Sequence, residues 1–111
     1  MQLYRLEVYL PKNEVMEISE GLKKMDVGGL TVIKKRGRGK QPPPEIHAGK
    51  GRAVFTPQFS EKYIVELVID EARKKEAIEI IRKNATKGKI FVLPITETVD
   101  IETGEIDSDY K

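Results

Sequence analysis

The feature that most constrains this chain is a strand–helix–strand pattern that occurs twice along it. In residues 2–10, Tyr4, Leu6, Val8 and Leu10 fall on one face and Arg5, Glu7 and Tyr9 on the other, the period of a half-buried strand. Pro11 ends that run, and Asn13 is placed to cap a helix carrying Val15, Ile18, Leu22 and Met25 on one stripe. Val27–Gly29 supplies the stop, and Leu30–Lys35 reads as a second strand. The pattern then returns. Lys62–Ile69 is a strand, and Asp70 is placed to cap a helix from Glu71 to Asn84 with Ile78, Ile81 and Ala85 turned inward. Lys89–Ile95 closes the second unit, with Pro94 marking its far end as an edge.

Two such units in 111 residues predict one α+β domain spanning 1–111, a ferredoxin-like βαββαβ sandwich with a long loop between strands 2 and 3. Both helices then cover one face of a four-stranded antiparallel sheet. The other face mixes Tyr9, Ile33, Ile64 and Val68 with Glu66, and an apolar remainder of that kind predicts association of copies. There is no cysteine, which excludes disulfide and thiolate chemistry and fits a reducing cytoplasm. Arg5 and Glu7 interrupt the first apolar run, so it reads as neither a secretory leader nor a membrane span.

Between the two units, residues 37–61 show no sustained periodicity, far more chain than an antiparallel connection requires. The stretch "KKRGRGKQPPPEIHAGKGR" from Lys34 to Arg52 carries seven basic residues against Glu45 alone, leaving thirteen basic and seventeen acidic residues elsewhere. A basic excursion on a mildly acidic body predicts an anionic partner for the loop. Glycines there let backbone N–H groups approach an anion closely, and lysines at strand ends act as point charges for phosphate or carboxylate.

Several segments, in order, resemble the PII signal-transduction family across nearly the whole chain. "GLTV" (Gly29–Val32) looks like that family's strand after the first helix, and "GRGKQ" (Gly37–Gln41) like the base of its T-loop, here 37–61. "EKYIVELVI" (Glu61–Ile69) resembles the returning strand, "GKIFVLPI" (Gly88–Ile95) the strand leaving the B-loop, and "TGE" (Thr103–Glu105) the C-terminal signature. The resemblance implies a non-enzymatic homotrimer that binds small effectors between subunits and engages a target protein through the T-loop. Family ligands are ATP or ADP, often with magnesium and 2-oxoglutarate. By the same resemblance, Gln41 stands where the family glutamine meets metal and oxoacid, and Lys62 where its lysine pairs with a carboxylate. Gly37, Lys40, Gly88 and Lys89 would line the phosphate side, and Gly29, Leu30 and Thr31 the adenine side from the neighbouring subunit. No cofactor is required and no metal site is expected of the chain itself.

Three departures from the family pattern redirect the ligand expectation. The B-loop is contracted to "TKGK" (Thr86–Lys89), which removes backbone donors for phosphate. Where the family offers two arginines to the phosphates, "TVDIETGE" has Asp100 and Glu102, so attraction becomes repulsion. ATP binding in the family's usual manner is therefore expected to be lost, in favour of a carboxylate metabolite or an adenine nucleotide held atypically. Asp100 and Glu102 could hold a cation, pair with loop lysines, or form a solvated strand edge. Finally, residues 41–59 contain no tyrosine or serine, so the loop has no acceptor for nucleotidylation of a tyrosine. "QPPP" stiffens its first limb. Val54, Phe55 and Phe59 on the returning limb are free either to pack on the body or to meet a partner.

Two other functions compete. A basic loop on a ferredoxin-like sheet also describes a nucleic-acid-binding module, but such sheets stack bases on aromatic residues of their middle strands, and Lys89–Ile95 offers only Phe91 and Lys62–Ile69 only Tyr63. A hydrolase of the acylphosphatase type would need a nucleophile and base. The chain has one histidine, His47 on the loop, and serines only at 19, 60 and 108, with no paired spacing.

Overall fold

The computed structural model describes residues 1–27, 29–37, 46–48, 53–55 and 60–107, with the backbone alone for 46–48, 53–55 and 60. Four long strands form one sheet: β1 (Leu3–Leu10), β2 (Leu30–Gly37), β5 (Ser60–Asp70) and β6 (Lys89–Ile95), in the order β2-β5-β1-β6. Every pairing in it is antiparallel. Helices α1 (Val15–Lys24) and α2 (Glu71–Asn84) cross over one face, the ferredoxin-like arrangement. β6 is an edge strand, as Pro94 requires.

The alternation in β1 places Leu6, Val8 and Leu10 in the core, where Val65, Leu67 and Ile69 of β5 join them. The helices close over these side chains with Ile18 and Leu22 from α1 and Ala77 and Ile81 from α2. On α2 the fully buried positions are thus Ala77 and Ile81, while Ile78, Ile80 and Ala85 pack at the margin.

The ends of the helices divide the expectations. Asp70 caps α2 as its position implies, its carboxylate accepting the Arg73 N–H at 2.9 Å. Asn13, by contrast, does not cap α1. It lies in a 3₁₀ turn, Lys12–Glu14, and Glu14 takes the cap position with no side-chain capping bond. Nor do the glycines stop α1. Asp26 does so, at φ 65°, while the Asp26 N–H donates to the Lys23 carbonyl and the Val27 N–H to the Leu22 carbonyl. That pair of bonds is a Schellman closure with aspartate in the left-handed position usually given to glycine.

The segment between β2 and β5 also holds more order than its sequence periodicity indicates. β3 (Ile46–Ala48) and β4 (Ala53–Phe55) pair antiparallel in a separate two-stranded sheet, with Ile46 opposite Phe55 and His47 opposite Val54. Strands of three residues are too short to establish a period, which is why the pattern misses them. Val54 and Phe55 thus belong to a ribbon strand.

Candidate functional site

The foot of the long connection is set by the register of β2 on β5. Gly37 faces Ser60, Arg36 faces Glu61, Lys35 faces Lys62 and Lys34 faces Tyr63. Because Leu30 of β2 and Val65 and Leu67 of β5 point to the helices, Lys35 and Lys62 point to the opposite, helix-free face. The two faces differ electrically. On the helix side the Lys34 ammonium sits 3.1 Å from the Glu61 carboxylate, and the hydrogen bond to Glu61 holds the Lys34 pKa above its ordinary value. On the helix-free side two lysines stand directly across from one another, roughly 5 Å apart at Cβ. Among the described residues neither has an ion-pair partner. Lys62 also stands beside the start of the connection, since a Cβ on Gly37 would lie 3.8 Å from its Cγ. The next pair along the same face is Ile33 and Ile64, the latter only 2% exposed, so the ammonium groups stand beside an apolar floor. Lys40 and Gln41 lie outside the described residues.

A second feature is a cleft of about 390 Å³ lined by Gly29 and Thr31 together with Arg5, Asp26, Glu66 and Arg73. Its charges are mixed, and Arg5 is engaged by Glu7 at 3.3 Å. The Arg73 guanidinium donates to the Met25 carbonyl and so ties the end of α1 to the start of α2 along the cleft wall. Leu30 is not part of this lining: its side chain packs on the core.

The third feature contains Gly88 and Lys89. They line a cleft of about 480 Å³ with Arg82, Thr86 and Lys87, a distinctly cationic set. Gly88 has φ 130°, and a Cβ there would fall 2.0 Å from the Tyr9 carbonyl oxygen, so only glycine lets the turn press against β1. Lys89 then registers opposite Tyr9. Behind the turn, the carboxylate of Glu14, a residue only 6% exposed, accepts both the Thr86 N–H at 3.0 Å and the Thr86 hydroxyl. Its Oε2 is buried with no hydrogen-bond partner among the described residues. Nothing in the local sequence marks this link, which spans 72 positions.

After β6 the chain forms a small hairpin closed by a bridge between Val99 and Ile106. The Asp100 carboxylate accepts the N–H groups of Glu102 and Thr103, at 3.0 and 2.9 Å, and the Thr103 bond leads in lowering its pKa below the usual value. Asp100 is therefore committed to building a turn, and among the described residues no group of three or more acidic or histidine side chains converges as a metal site would. Glu97, Asp100, Glu102, Glu105 and Asp107 make this hairpin strongly acidic, and no cation lies within residues 96–107. β6 delivers it to the end of the sheet where Ile95 pairs with Leu3 and Leu3 with Asp70. Lys62 is eight residues back along β5, about 27 Å at the rise of a strand.

Among the described residues, the aromatic side chains do not form a base-stacking platform of the RNA-reading kind. Phe91 is on the edge strand and meets Tyr9 edge-on, with centroids 5.3 Å apart, while Tyr63 points to the helix side. His47 is a strand residue of the ribbon. Gly29 and Thr31 thus line one cleft and Gly88 and Lys89 another, while Gly37 and Lys62 are in neither lining.

Comparison with known proteins gives one consistent answer. The sequence profile of the family described as Nitrogen regulatory protein P-II matches residues 3–105. Proteins of that name from Azospirillum brasilense and Rhodospirillum rubrum are 32% and 33% identical, each alignment covering 95% of this chain and 96% of the relative. Among solved structures, Arabidopsis thaliana PII bound to citrate superposes with a TM-score of 0.68 at 26% identity, covering 94% of this chain and 84% of that one. The Bacillus subtilis GlnK–ATP complex superposes with a TM-score of 0.70 at 25% identity, covering 95% and 94%.

Proposed function

The chain belongs to the nitrogen regulatory protein P-II family of signal-transduction proteins, and from that premise we propose that it senses a small anionic metabolite at clefts between subunits and passes the signal to a target protein through the T-loop, 37–61, of a single domain spanning 1–111. The working form is a homotrimer in the cytoplasm, and the protein acts by binding, without catalysis. Lys62, with Gln41 and Lys40, receives the ligand's carboxylate end. Gly37, Gly88 and Lys89 form its phosphate side when a nucleotide binds. Gly29 and Thr31 of the neighbouring subunit form the adenine side, to which Leu30 contributes through its backbone.

The observation that carries this reading is the placement of Lys62 beside Gly37, where β2 ends and the loop begins. An anion drawn to that ammonium sits near the start of the loop, so its binding free energy can differ between loop conformations and shift their populations. The distribution of these residues over different clefts in one protomer is in keeping with a site completed by a second subunit. Citrate in one structural relative and ATP in another give the ligand classes to try first. ATP is the weaker candidate here, because Asp100 and Glu102 put negative charge where a triphosphate needs positive charge.

Titration calorimetry with citrate, 2-oxoglutarate, ADP and ATP tests the proposal. A carboxylate should bind more tightly than ATP, and K62Q should weaken it at least tenfold. Absence of binding across all four ligands would refute it.

A further inference from the structure

We propose that Glu14 is the positioning residue of the cationic cleft: its buried carboxylate fixes the turn 85–88, and with it the places of Lys87 and Lys89, without touching the ligand. The inference rests on the reading of Gly88 and Lys89 as the phosphate side of the site. It adds to that side a residue 72 positions from Thr86 in the sequence.

The turn does not hold its own shape. Among the described residues, no backbone hydrogen bond closes residues 85–88. Its exit is fixed by Gly88, which presses on the Tyr9 carbonyl at φ 130°. Its entry is fixed by Glu14, whose Oε1 accepts both the Thr86 N–H, at 3.0 Å, and the Thr86 hydroxyl. Two bonds from one residue to one oxygen set the orientation of Thr86 as well as its position. Lys87 stands between these two anchors and Lys89 directly follows them. Among the described residues, Arg82, Lys87 and Lys89 have no ion-pair partner, so the charge of the cleft is open to an anion.

Stability alone does not account for this carboxylate. Glu14 is only 6% exposed, and its Oε2 is buried with no hydrogen-bond partner among the described residues, a placement that works against folding. The residue also stands at the cap position of α1 without making a side-chain capping bond. Thr86, for its part, is exposed on the cleft, where water would satisfy its donors equally well. Water does not supply a fixed direction. Ammonium groups carried on a turn already set by Glu14 meet an anion without first having to be ordered, which is where pre-organisation adds affinity.

Pyrophosphate is the probe, titrated into the full chain and followed at assigned backbone amides by NMR. In the wild type, the amides of Lys87, Gly88 and Lys89 should shift as it binds. E14M fills the same buried place with no strong acceptor. It should keep or raise the melting temperature, speed hydrogen exchange of the Thr86 amide, and weaken pyrophosphate about tenfold, the worth of one misplaced charge-assisted contact. E14Q, which still offers Thr86 a carbonyl oxygen, should bind pyrophosphate as the wild type does. T86V, which removes only the hydroxyl donor from an exposed position, should show a smaller loss in the same direction. Unchanged affinity in both E14M and T86V, or an E14Q protein as weak as E14M, would overturn the positioning role and leave the phosphate side standing. Wild-type amides at 87–89 that ignore pyrophosphate would overturn both.

Discussion

Replacing Gly88 by alanine should be among the most damaging single-methyl changes available in this protein. The new Cβ would sit 2.0 Å from the Tyr9 carbonyl oxygen, and the backbone is at φ 130°, where an L residue is strained wherever its side chain points. Such strain costs about 1–3 kcal/mol. Relieving the overlap means moving either the turn or β1 by more than an ångström, for which overpacking in ordered structure gives about 1–3 kcal/mol more. The sum, about 2–6 kcal/mol, is a large share of the roughly 5–15 kcal/mol of a typical domain. With an m value of about 1–2 kcal/mol/M for a chain of this size, the urea midpoint should fall by about 1 M or more. The chain contains no tryptophan, so far-UV circular dichroism at fixed protein concentration is the suitable probe. G104A supplies the comparison, because Gly104 has φ 76° with nothing within 4 Å, so its variant bears the backbone strain alone. A G88A midpoint no lower than that of G104A would refute the argument from close approach.

Two further outcomes follow from the turns. D26G should stabilise the protein by about 0.5–1 kcal/mol, because glycine removes the cost of the left-handed residue that closes α1; a lowered urea midpoint would count against that assignment. Asp100 should titrate below its ordinary value of 3.8, since its folded pKa is depressed first by the Thr103 N–H. The stability it lends the hairpin is then fully present above pH 3.8 and lost as pH falls through the lower folded value. Carboxyl-carbon NMR of Asp100, followed together with the Thr103 amide, reads this directly, and a midpoint at or above 3.8 would contradict it.

The repeat of strand, helix and strand was legible because each element has a strong period, with the strand stop at Pro11 and the cap at Asp70 in line with it. The misread positions share one cause: a distant or backbone-level partner outweighs the local signal. Glu14 precedes α1 with no side-chain capping bond, and its carboxylate is turned to Thr86, far along the chain. Asp26 closes α1 although glycines follow closely, because Val27 must enter the core beside Leu22. For the site, the basic run itself was plain. That Lys34 is answered by Glu61 while Lys35 meets Lys62 depends on a register that the run does not reveal, since a shift of one residue would exchange the two faces.

The last pair in that register, Gly37 with Ser60, means that the hairpin of β2 and β5 is already closed before the 22 residues of 38–59 begin. Closing so long a span instead of a four-residue one costs only about 1.5 kcal/mol, since the penalty grows with the logarithm of length. Beyond Gln41 the arm is thus nearly free to be rewritten: its sequence can be exchanged for another, matched to a different recipient, while the sandwich beneath keeps the same core.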